Sequence, residues 1–143
     1  MEKLVVTRYI GSSVIIPMDV LNELKRIPAS GITAEELLVK ICQICRNEGI
    51  CDIIPDDIRR RRSKYNTSSP EGVIKNLYGF LLYCPYNKKF REMGELFCFE
   101  DGTPRTRGAL LHHIKTVVKL LAVINKDKEF KHIYQTIIKN LCL

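Results

Sequence analysis

The sequence predicts a mainly α fold: a compact bundle of about five or six helices, with a small N-terminal β-hairpin and a C-terminal antiparallel helical hairpin. Three observations predict it. Apolar residues recur at i, i+3 and i+4 through most of the chain, the spacing that lines one face of an α-helix. Start and stop signals, among them Thr33 with Glu36, Ser69-Pro70, Thr103-Pro104, Gly49 and Pro85, bracket those stretches. Hydrophobic residues make up 45% and charged residues 27% of the chain, a globular balance and not that of a disordered segment. At 143 residues the chain reads as a single globular domain over 1–143. Residues 63–69 are its one candidate flexible connector.

Taken in order, Leu4 to Ile10 and Ser13 to Ile16 are rich in β-branched residues and flank Gly11-Ser12. That is the pattern of a hairpin with a two-residue turn. Pro17 suits the first position of a helix running to about Arg26, with Val20, Leu21 and Leu24 on one face. Pro28 to Gly31 breaks it. Thr33 and Glu36 stand at capping-box spacing, where hydroxyl and carboxylate each satisfy a backbone N–H of the other residue. The helix they open puts Leu37, Leu38, Ile41, Cys42, Ile44 and Cys45 on one stripe and ends at Gly49. Pro55 opens a short helix through the arginine run Arg59 to Arg62.

Ser69-Pro70 supplies a cap and a first-turn proline, after which Val73, Ile74, Leu77, Phe80 and Leu81 keep helical spacing until Pro85. Phe90 and Met93 suit a helical turn. Leu96 to Phe99, before Asp101-Gly102, suits a strand that joins the N-terminal hairpin. From Thr103-Pro104 the rhythm is clearest: Leu110, Leu111, Ile114, Val117, Val118, Leu121 and Ile124 line one helix. Asn125 to Asp127 turn the chain, and Phe130, Ile133, Tyr134, Ile137, Ile138 and Leu141 line a second. Two amphipathic helices joined by so short a link are expected to pack on each other.

Charge narrows the function. The net charge of +7 is uneven: residues 1–54 carry six basic and seven acidic residues, 55–107 eleven and seven, and 108–143 six and two. The positive field belongs to the last two thirds, which suggests an anionic partner. No stretch approaches the roughly 18 apolar residues of a membrane span. The N-terminal apolar run is broken by Thr7 and Arg8, so no export signal is read and an intracellular address, cytoplasmic or nuclear, is expected. Without export, the six cysteines are expected to be reduced and mainly buried.

Cys42-Gln-Ile-Cys45 with Cys51 has the spacing of a half zinc site. It falls inside a helix on the apolar stripe, however, and no second CxxC completes it, so packing is the expectation and no metal or other cofactor is assigned. His112 and His113 point about 100° apart on a helix and do not converge on one ligand. No phosphate-cradling glycine loop, nucleophile elbow, HExxH or calcium loop is present. Nothing in the sequence points to an enzyme.

Two basic clusters remain. Arg59, Arg60, Arg61, Arg62 and Lys64 concentrate five cations in six residues, and guanidinium forks suit phosphate. Arg105 and Arg107 open the long C-terminal helix, on which His112, Lys115 and Lys119 follow at i, i+3 and i+7 opposite Ile114, Val118 and Leu121. Such a stripe suits a phosphate backbone or an anionic lipid surface. Tyr65, Tyr83 and Tyr86 are candidates for base stacking if exposed, but their apolar neighbours favour partial burial. The sequence therefore leads to a non-enzymatic nucleic-acid-binding or ribonucleoprotein-associated module, with these nine Arg and Lys residues as phosphate contacts. The alternative is a protein-interaction module, such as a small viral accessory, scaffold or membrane-surface matrix-type protein acting through a helical face.

Overall fold

The computed structural model describes residues 4–6, 15–28, 31–59, 69–84, 86, 91–93, 107–124 and 126–143. Among them the architecture is mainly α. Two short strands, β1 (Leu4–Val6) and β2 (Ile15–Pro17), precede the helices α1 (Met18–Leu24), α2 (Ala34–Asn47), α3 (Pro55–Arg59), α4 (Pro70–Tyr83), α5 (Arg107–Ala122) and α6 (Lys128–Leu141). Met93, at the end of a helical stretch at 91–93, is fully buried.

The local signals explain most helix ends. In α2 the Thr33 hydroxyl accepts the Glu36 N–H at 3.1 Å, and the Glu36 carboxylate accepts the Thr33 N–H at 2.9 Å. At its other end Gly49 has φ +73°, a conformation that costs glycine little. The Gly49 N–H reaches the Arg46 carbonyl, and the Ile50 N–H reaches that of Cys45 at 2.9 Å, the paired bonds of a Schellman stop. Ser69 Oγ accepts the Gly72 N–H at 3.1 Å to cap α4, with Pro70 in its first turn. Asp127 caps α6 by accepting the Phe130 N–H at 3.0 Å.

Three expectations need correction. β1 and β2 pair antiparallel with Val6 opposite Ile15 and Leu4 opposite Pro17. An unbroken ladder from a two-residue turn at Gly11-Ser12 would put Val6 opposite Pro17, so these strands do not continue that regular hairpin. The turn itself lies outside the described residues, as does the strand expected at Leu96 to Phe99. Pro17 ends β2, and the helix begins one residue later than expected, at Met18.

The third correction concerns the C-terminal pair. Both α5 and α6 pack against α4, and α6 also against α2, but α5 and α6 are not among the closely packed element pairs. The reason lies in α4. Every residue from Gly72 to Tyr83 is buried, so this helix is covered around its whole circumference. A helix buried and mostly apolar on all sides belongs at the centre of a bundle, and α2, α3, α5 and α6 surround it. Leu110, Ile114, Val117 and Leu121 of α5 and the Phe130–Leu141 stripe of α6 are buried in the same core. Their apolar faces have α4 to cover them, and a mutual hairpin interface is unnecessary.

Candidate functional site

The cationic stripe of α5 rests on this core. With 16 residues, α5 is about 24 Å long at 1.5 Å per residue. Leu110, Ile114, Val117 and Leu121 are buried, Leu111, Val118 and Leu120 half-buried, and His112, Lys115 and Lys119 exposed. The Thr116 hydroxyl donates back to the His112 carbonyl at 2.7 Å, leaving the two lysines as the charged groups on this part of the helix. No acidic residue occurs anywhere from Gly102 to Lys126. The lysines therefore lack the carboxylate at i±3 or i±4 that would turn an exposed cation inward to a helix ion pair.

Of the nine predicted phosphate contacts, the structure describes the side chains of Lys115 and Lys119, and both are exposed. Arg59 ends α3 and Arg107 begins α5, their side chains lying outside the described set. Arg60, Arg61, Arg62, Lys64 and Arg105 lie outside the described residues, as does the expected continuation of α3 through Arg62. Tyr83 and Tyr86 are buried and cannot offer a ring to an incoming base, which removes two of the three stacking candidates. Tyr65 lies outside the described residues.

One polar group in the core escaped the sequence reading. Lys75, Asn76 and His113 are buried at 8%, 3% and 8% exposure, and His113 Nδ1 lies 2.5 Å from Asn76 Oδ1 across the α4–α5 contact. Asn76 Nδ2 is buried without a hydrogen-bond partner among the described residues. A signal existed: His113 shares the face of Leu110, Ile114 and Val117, and Lys75-Asn76 interrupts an otherwise apolar helix. Polar residues in those positions are held in the core by bonds such as this one, because burying them unbonded is costly.

The cysteine motif packs as its helical spacing predicts. Cys42 and Cys45 are buried on the α2 stripe, and Cys51 is half-buried just beyond the Gly49 stop. Burial pushes the Cys42, Cys45 and Cys51 thiols up to about 11, 12 and 11. Among the described residues no three His, Cys, Asp or Glu side chains converge as metal ligands, and no helix is long and apolar enough to cross a membrane. No family model, no curated protein and no solved structure matches the chain.

Proposed function

We propose that the chain is a non-enzymatic, basic nucleic-acid-binding module that contacts phosphates. The observation that carries this reading is the α5 face. Lys115 and Lys119 stand exposed on a helix anchored through its opposite side, within 25 residues that hold no carboxylate. The helix fixes where these cations stand, and each phosphate they neutralise releases condensed counterion. The sequence adds Arg59 to Arg62, Lys64, Arg105 and Arg107 as further cations. The chemistry is that of backbone positioning and not of base readout, so binding is expected across sequences.

Titration against RNA and duplex DNA at about 50 mM salt tests the reading, since phosphate-driven binding is strong at low salt and falls steeply as salt rises. Changing Arg59, Arg60, Arg61 and Arg62 together to Gln is expected to weaken binding to all sequences alike. Preference for anionic vesicles over RNA and DNA moves the assignment to a membrane-surface role. Absence of binding to either polyanion leaves the basic surface as a solubilising one.

A second reading has its own observation. Val39 is 45% exposed on α2, beside a shallow depression of about 460 Å³ lined by Ile32, Glu35, Glu36, Val39 and Lys40. An apolar residue in an acidic-rimmed depression suits a protein partner. Co-purification of one discrete protein, lost in Val39→Asp but kept in Lys115→Gln with Lys119→Gln, supports that alternative.

A further inference from the structure

The stop of α2 brings two thiols together. Cys45 is the last buried residue of the helix and Cys51 lies six positions on, a distance no helix could close. Gly49, at φ +73°, reverses the chain between them. As a result the Cys45 carbonyl accepts the Ile50 N–H at 2.9 Å and the Cys51 N–H at 3.4 Å. That backbone contact sets the two residues side by side at the helix exit, as a disulfide between them requires. The two thiols are also near enough for each to influence the other's ionisation. Their access differs: Cys45 has no exposed surface, whereas Cys51 lines a shallow cavity of about 350 Å³ with Arg46, Gly49 and Asp52.

We propose that Cys45 and Cys51 are a modification site: a dithiol that a peroxide converts to an intrachain disulfide, with Cys51 as the attacking thiol and Cys45 as the resolving one. In the first step the Cys51 sulfur attacks a peroxide oxygen, the O–O bond breaks, and Cys51 sulfenic acid and one water (or alcohol) result. In the second, Cys45 attacks the Cys51 sulfur, the S–O bond breaks, and the hydroxyl leaves as water with the Cys45 proton. Both sulfurs are oxidised by one electron each, and the peroxide takes up the two electrons. Access sets this order, since Cys51 lines the open cavity and Cys45 has no exposed surface. The product adds a covalent link to the exit of α2, which is otherwise held by backbone hydrogen bonds.

The reaction is slow at neutral pH. Burial, then the nearby Glu71 of α4, raises the Cys51 thiol to about 11, with Asp52 and Asp57 adding in the same direction. Only thiolate attacks, so the rate is expected to climb about tenfold per pH unit from about pH 7 to 10. The pair therefore records sustained oxidation and is not a fast sensor.

The test treats the full chain with hydrogen peroxide, alkylates the remaining thiols in denaturant, and maps peptides by mass. The expected result is one dithiothreitol-reversible cross-link, Cys45 to Cys51, with the other four cysteines alkylated. In Cys51→Ser, a half-buried and mild change, Cys45 is expected to stay reduced because no oxidant reaches it. In Cys45→Ala, Cys51 is expected to be trapped as sulfenic acid by dimedone. A cross-link that includes Cys42, over-oxidation of Cys51 without a cross-link, oxidation of Cys45 in Cys51→Ser, or a rate that does not change with pH would each overturn the proposal.

Discussion

Helices α4 and α5 pack against each other yet are built from opposite patterns. Along α4 the chain is buried on every side from Gly72 to Tyr83, even at Lys75 and Asn76. Along α5 a buried stripe of Leu110, Ile114, Val117 and Leu121 alternates with exposed His112, Lys115 and Lys119. Both satisfy the same i, i+3, i+4 test. The difference teaches that periodicity identifies a helix without saying how many neighbours it has. The apolar content of the residues between the stripe positions says that: Tyr78, Leu82 and Tyr83 fill those places in α4, and His112, Lys115, Thr116 and Lys119 fill them in α5. The centre of the fold and its outward face are thus separated by what stands between the periodic residues.

The sharpest way to break this comparison is to hollow out the central helix. Phe80→Ala removes a fully buried ring facing a crowded core and is expected to cost about 3–5 kcal/mol. That is a large share of a typical domain's stability, and urea unfolding measures it. Ile114→Ala, on the buried face of α5, is expected to cost about 2–5 kcal/mol. A loss below about 0.5 kcal/mol there, the range of ordinary surface changes, would mean that α5 does not rest on α4.

A smaller effect comes from the α2 cap. Thr33→Ala removes the hydroxyl that accepts the Glu36 N–H and is expected to cost about 0.5–2 kcal/mol. The same cap carries a pH signature. Hydrogen bonds from the Thr33 backbone and side chain, with Lys40 nearby, hold the Glu36 carboxyl below its ordinary range. A carboxyl depressed in the folded state contributes stability that is present above its unfolded value and lost as pH falls through its folded value. The stability gap between the native chain and Thr33→Ala should therefore narrow in acid, below about pH 4.

Much of this fold was legible because it is local. The Thr33–Glu36 box, the Ser69-Pro70 start, the Gly49 stop and the stripes of α2, α5 and α6 are all written within a few residues. Partner choice was not legible, because it depends on residues far apart. The two C-terminal helices look like a self-contained hairpin, and only the all-round burial of α4 shows why each packs on α4. The same holds for the Asn76–His113 bond, which joins positions 37 residues apart. Of the candidate site, exposure of Lys115 and Lys119 followed from their place opposite Ile114. Burial of Tyr83 and Tyr86 agrees with their apolar sequence neighbours, although a tyrosine is at home both at a surface and in a core.

If the exposed lysines of α5 meet phosphate while its buried face holds the fold, one measurement separates the two roles. The salt dependence of RNA binding is compared between the native chain and Lys115→Gln with Lys119→Gln, alongside urea unfolding of both. The expected result is an unfolding free energy within about 0.5 kcal/mol of the native value and a slope of log affinity against log salt shallower by about 2, near one per lysine. An unchanged slope with unchanged stability would contradict the claim, leaving Lys115 and Lys119 as solvated surface charges.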